Sequence, residues 1–105
     1  MVSIIKDFID GIQVANHTTK VFCDDKGNCK LVVKDNIIAT RNIEYDRVYI
    51  TIKDDIDVNK KVIDSINEIL DYAKLPKINY SHGLYCLITE DKAYYIGEDE
   101  FTIKI

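Results

Sequence analysis

Apolar and polar residues alternate with a period of two along most of this chain, and only residues 2–14 and 57–74 change to the 3.6-residue period of a helix. In the first of these, Ile5, Phe8, Ile9 and Ile12 fall on one side and Lys6, Asp7, Asp10 and Gln13 on the other. In the second, Val62, Ile63, Ile66, Ile69, Leu70 and Ala73 form a stripe that runs until Leu75 and Pro76 stop it, and acidic residues from Asp54 to Asp57 open it. Both stripes need a surface to cover, so both helices are expected to pack on a sheet.

Strands are expected within the hairpin of residues 18–34, at 37–41, at 47–53, at 84–89, at 92–96 and at 101–105. Residues 47–53 alternate most cleanly, with Val48, Ile50 and Ile52 inward and Arg47, Tyr49, Thr51 and Lys53 outward. The expected fold class is therefore α+β: an antiparallel sheet, in the order helix, four strands, helix, three strands, packed by two helices.

One hairpin can be read to the residue. If Gly27 takes the left-handed position of a three-residue loop, Asp24 pairs with Asn28, and Cys23 lies opposite Cys29. Val21, Cys23, Cys29, Leu31 and Val33 then share a face. A two-residue Lys26-Gly27 turn would instead pair Cys23 with Lys30 and mix apolar with basic residues on both faces, so periodicity selects the first register.

With 105 residues, 47% of them hydrophobic and 30% charged, and one proline, the chain reads as a single folded domain spanning 1–105 rather than a disordered segment. A formal charge of −4 and the lack of a contiguous basic run speak against nucleic acid as a partner. Lys6 and Asp7 break the first apolar run, which excludes a signal peptide there, and no stretch is long and apolar enough for a membrane span; a cytoplasmic protein is expected. Isoleucine, asparagine, lysine and tyrosine are abundant, as in proteins from AT-rich genomes.

Few residues combine into chemistry. Cys23 and Cys29 are placed for a cross-strand disulfide, but three cysteines in a cytoplasmic chain favour buried thiols, and neither His17 nor His82 has zinc-ligand spacing to them. His82 beside Ser81, with Cys86 close behind, offers nucleophile and base types for a small enzyme or ligand-binding protein. It lacks an identifiable orienting carboxylate and oxyanion donors, so no catalytic residue, metal or cofactor is assigned. What remains is an acidic turn at Glu98, Asp99 and Glu100, with outward tyrosines at Tyr49, Tyr85 and Tyr94. Together they would form a protein-binding surface for a basic partner. The alternating strand at 101–105, if it lies at a sheet edge, would pair with a second copy, and a homodimer ranks just ahead of a monomer.

The run from Lys30 to Thr40, with its Ile38-Ala39 pair, followed by Val48-Tyr49-Ile50-Thr51 and a helix, resembles a pattern in small phage-encoded accessory proteins. There a strand with an Ile-Ala or Val-Ala pair precedes a second strand and a helix. This chain departs from the pattern at Asp55 to Lys61, where the phage proteins carry hydroxyl residues and a histidine. The resemblance implies an origin in a virus or mobile element, and a small acidic protein that binds and blocks a host protein in the host cytoplasm. No functional residue is carried over from it.

Overall fold

The computed structural model describes residues 3–105; the expected helix start at residue 2 lies outside them. Chain order is α1 (Ile4–Asp10), β1 (Val14–Ala15), β2 (Thr19–Cys23), β3 (Cys29–Val33), β4 (Asn36–Glu44), β5 (Arg47–Ile52), α2 (Lys60–Tyr72), β6 (Asn79–Ser81), β7 (Leu84–Ile88), β8 (Ala93–Tyr95) and β9 (Phe101–Lys104). The strands form two antiparallel sheets, one of six strands in the order β1-β2-β3-β4-β5-β9 and one of three in the order β6-β7-β8.

This overturns the expected α+β layout of one sheet with four strands before the second helix and three after it. Among the described residues strand outweighs helix by about two to one, and the sheets do not divide as the sequence order does. β9 leaves its sequence neighbours and crosses back to pair with β5, aligning Thr51 with Thr102 and Ile50 with Ile103. β1 and β6 are the additional strands. β1 exists because α1 ends early: Gly11 adopts φ 76°, and the Ile12 N–H reaches back to the Asp7 carbonyl at 2.8 Å. The apolar period through Ile12 and Val14 thus continues past the end of the helix, onto an edge strand. β6 exists because His82 (φ 53°) and Gly83 (φ 78°) make a two-residue turn that folds residues 79–81 onto β7.

The same turn chemistry lengthens β4. Lys34 and Asp35 (φ 49° and 68°) join β3 to β4, while Tyr45 and Asp46 (φ 52° and 61°) join β4 to β5. Both are left-handed pairs without glycine, so the central meander turns tightly at places with little sequence signal.

α2 starts later than the acidic run predicts. Asn59 is its N-cap, its side-chain oxygen accepting from the Val62 N–H at 3.0 Å, and Asp54, Asp55 and Asp57 precede the helix. The buried Ile56 anchors this preceding loop. Val62, Ile66, Ile69 and Leu70 are fully buried and join Ile50, Ile52, Leu31, Leu87 and Phe101 in one apolar cluster shared by both sheets and both helices.

A buried cation ties one end of this core together. Arg41, 7% exposed, lies on β4; its Nε donates to the Ile9 carbonyl at 2.8 Å, and its Nη1 donates to the Gly27 carbonyl. The end of α1 and the β2–β3 loop are thus fastened to the sheet by one side chain, whose charge also suits a helix C-terminus. A Cβ on Gly11 would sit 2.7 Å from that Nη1, so glycine serves both the left-handed cap and the close approach of the guanidinium.

Candidate interaction surfaces

In each sheet one face packs on the core and the other is open. On the larger sheet, the register places Phe22, Lys30, Thr40, Thr51 and Thr102 side by side across β2, β3, β4, β5 and β9. The burial pattern puts this row on the open face, with Lys20 and Val32 on one side of it and Asn42, Tyr49 and Lys104 on the other. Thr51 and Thr102 share a hydroxyl hydrogen bond of 3.0 Å. A depression of about 340 Å³ bounded by Phe22, Asp24, Lys30, Thr40 and Asn42 adjoins one of about 430 Å³ bounded by Lys30, Asp35, Ile37, Thr40, Lys53 and Asp55, so both carry charges of either sign.

On the smaller sheet the parity is the reverse of the sequence expectation. Tyr85, Leu87 and Tyr94 face inward: Leu87 is buried, and the Tyr94 ring stacks on Phe101 with centroids 4.8 Å apart. Tyr85 also lies 4.8 Å from the Tyr80 ring. Two of the three tyrosines assigned to a binding surface are therefore half-buried packing residues, and Tyr49, on the other sheet, does not join them. Both parities of residues 84–89 carry apolar side chains, so alternation alone does not choose the inward one.

The open face of the smaller sheet carries Leu84, Cys86 and Ile88 along β7, with Tyr95 paired beside Cys86 and Ala93 beside Ile88. Leu84, Ile88 and Tyr95 are 45%, 53% and 40% exposed, an apolar strip that the sequence pattern does not reveal. Acidic residues border it. Glu90 and Asp91 lie in the turn after β7, and Glu98 is exposed just beyond β8.

The other acidic residues of that turn are engaged. Asp99 folds back to accept from the Tyr95 N–H at 2.9 Å, and Glu100 pairs with Lys53 at 3.1 Å. That pair holds the Lys53 ammonium above its usual pKa, through the hydrogen bond first and the charge attraction second. Glu98, Asp99 and Glu100 thus do not act as one patch: Glu98 faces solvent, Asp99 shapes the turn, and Glu100 binds a lysine at the open face of the other sheet.

Cys23 and Cys29 lie opposite each other with Cα atoms 4.1 Å apart and are joined as a disulfide, where sequence favours thiols. The loop between them is built as the pattern requires, with Gly27 at φ 88° and the Asp24 N–H donating to the Asn28 carbonyl at 2.9 Å. The Asp24 carboxylate accepts from the Asn28 and Lys26 N–H groups at 3.0 and 2.9 Å, and these bonds, Asn28 first, hold its pKa below the usual value. Closing so short a loop is worth about 2 kcal/mol on chain-entropy grounds.

His82 occupies the exposed corner of the β6–β7 turn, and Cys86, a free thiol, is half-buried on the apolar strip. Among the described residues no three His, Cys, Asp or Glu side chains group as metal ligands. No helix among them is long and apolar enough to cross a membrane.

Comparison with protein families, curated proteins and solved structures finds no match. The chemistry of the two open faces therefore carries the functional reading.

Proposed function

We propose that this protein is a non-enzymatic protein-binding module that contacts its partner through the open face of the β6-β7-β8 sheet. The observation behind this reading is the exposed strip of Leu84, Ile88 and Tyr95, around Cys86, with Glu90, Asp91 and Glu98 at its border. Contiguous apolar surface bordered by charge is costly to leave in water, and it matches the anatomy of an interface with an apolar centre and a polar rim. The acidic rim selects a partner with basic residues around an apolar knob or ridge and speeds their encounter. An origin in a virus or mobile element, which the strand pattern of residues 30–51 suggests, would make that partner a host protein and its blockade the outcome.

Placing a cation in the middle of the strip tests this. Immobilised protein is expected to retain a partner from native cell lysate in a salt-sensitive manner. Ile88→Lys should lose that partner, while Tyr49→Ala on the opposite sheet should keep it. Equal retention by the parent and Ile88→Lys, with both folded by circular dichroism, would remove this face from the interface.

A further inference from the structure

The disulfide of the β2–β3 hairpin lies beside the buried guanidinium that fastens α1, and the two share a chemistry. We propose that Cys23 and Cys29 form a redox-active pair that accepts two electrons from a small dithiol, with Arg41 holding the Cys29 sulfur as a thiolate. The reaction is stoichiometric, one dithiol oxidised per chain. It goes beyond the binding role of the smaller sheet and does not depend on it.

The first observation is the position of the cation. The register sets Arg41 of β4 directly across from Cys29 of β3, and both are buried. The Gly27 carbonyl oxygen accepts from Arg41 Nη1 and lies 3.6 Å from Cys29 Sγ, so the guanidinium and the sulfur meet at one atom. Among the described residues no carboxylate pairs with Arg41, and its hydrogen bonds go to backbone carbonyls. A buried charge without a counter-ion is costly. Reduction of the disulfide supplies one, because a cysteine beside an arginine ionises more readily than a free thiol.

The other charged groups around the pair are engaged or turned away. The Asp24 carboxylate accepts from the Asn28 and Lys26 N–H groups, and Asp10, at the end of α1, pairs with Lys6. Asp25 and Lys26 are exposed at the loop tip, and Lys30 projects from the opposite face. Arg41 therefore sets the local field at Cys29.

The second observation is access. β1 pairs with β2 only at Lys20 and Val21, so Cys23 lies past its end, half-buried where Cys29 is buried. Cys23 offers the sulfur that an incoming thiolate reaches, and Cys29 is the leaving group. The dithiol's first thiolate attacks Cys23 Sγ, the S–S bond breaks, and its electron pair leaves on Cys29 Sγ beside Arg41. The dithiol's second sulfur gives its proton to water and attacks the sulfur joined to Cys23. That step closes the small molecule into a cyclic disulfide and frees Cys23 as a thiolate, which takes up a proton. The protein disulfide gains two electrons and the dithiol loses two.

Reduction by dithiothreitol, quenched in acid and read by alkylation and mass spectrometry, tests the proposal. The oxidised chain should take one label, on Cys86, and the reduced chain three. Arg41→Gln should be reduced about 3- to 10-fold more slowly than the parent, because Cys29 becomes a poorer leaving group. A fastening role alone predicts the opposite sign, since loosening α1 and the loop exposes the disulfide. Arg41→Lys keeps the charge and should restore much of the rate, and Arg47→Gln, at an exposed arginine on β5, should match the parent. With glutathione, a monothiol, the trapped mixed disulfide should map to Cys23. The reduced parent supplies a reading that needs no Arg41 variant: the thiolate absorbance it has beyond that of Cys29→Ser should appear well below about pH 8.5, the ordinary value for a thiol. An Arg41→Gln rate at or above the parent's would overturn the proposal. So would a glutathione adduct on Cys29, or a Cys29 thiolate that forms only at the ordinary value.

Discussion

The six-stranded sheet turns Lys20, Lys30 and Lys104 toward solvent among threonines, whereas the three-stranded sheet turns Leu84, Ile88 and Tyr95 outward with acidic residues around them. On their inner faces the two are alike. Ile50, Ile52 and Leu31 from one, and Leu87 from the other, enter the same apolar cluster. The inward positions of both sheets answer to a single packing problem, so they converge on similar side chains. The outward positions are under no such demand, and there the sheets differ in polarity, the larger carrying threonines and lysines and the smaller an apolar strip.

This comparison can be broken most severely through the element common to both sides. Ile66 is fully buried on α2, within the cluster shared by both sheets. Ile66→Asp would bury a charge with no partner and is expected to cost about 4 kcal/mol or more, lowering urea and thermal midpoints together. A variant that melts like the parent would remove α2 from the common core.

A sharper cut separates the sheets. Leu87, 1% exposed, is the fully buried side chain of the smaller sheet, and Leu87→Ala should cost about 2–5 kcal/mol by leaving a cavity. Native-state hydrogen exchange is expected to show residues 79–95 losing protection before β3, β4 and β5 do. Uniform loss across both sheets would mean that they open as one cooperative unit.

The smallest effect is confined to the larger sheet. Asp24 has its pKa lowered in the folded protein by the N–H groups of Asn28 and Lys26. The stability it adds is therefore present above its unfolded pKa of about 3.9 and is lost as pH falls through the lower folded value. The stability gap between the parent and Asp24→Asn should be open at neutral pH and closed in strong acid. A gap that persists unchanged in acid would show that the loop does not depend on the carboxylate.

The features legible in the sequence are those in which a local chemical signal and the packing demand agree. Gly27, with cysteines on either side, defines the hairpin register because only one turn keeps Val21, Leu31 and Val33 on one face. The stripe of α2 is legible for a similar reason, since Val62, Ile66 and Ile69 have no strand-like alternative. Hidden features arise where a signal is absent or double. Tyr45 and Asp46 adopt left-handed conformations that their side chains do not advertise. β6 is three exposed residues with no apolar alternation. For the candidate site, Tyr85 and Tyr94 mislead because their strands are apolar on both faces. The row of Thr40, Thr51 and Thr102 on the open face of the larger sheet is hidden because these residues align only through cross-strand pairing and the return of β9.

That return also orders the events of folding. Cys23 and Cys29 are 6 residues apart, whereas Thr51 and Thr102 are 51 apart. Closing the longer loop costs about 2 kcal/mol more in chain entropy. The meander from β2 to β5 is therefore expected to assemble first, leaving the edge of β5 bare until β9 docks late. Interactions made last are largely absent from the transition state, so weakening Phe101 or Ile103 would act chiefly by hastening unfolding, and the lifetime of the native state is set in good part by this four-residue strand.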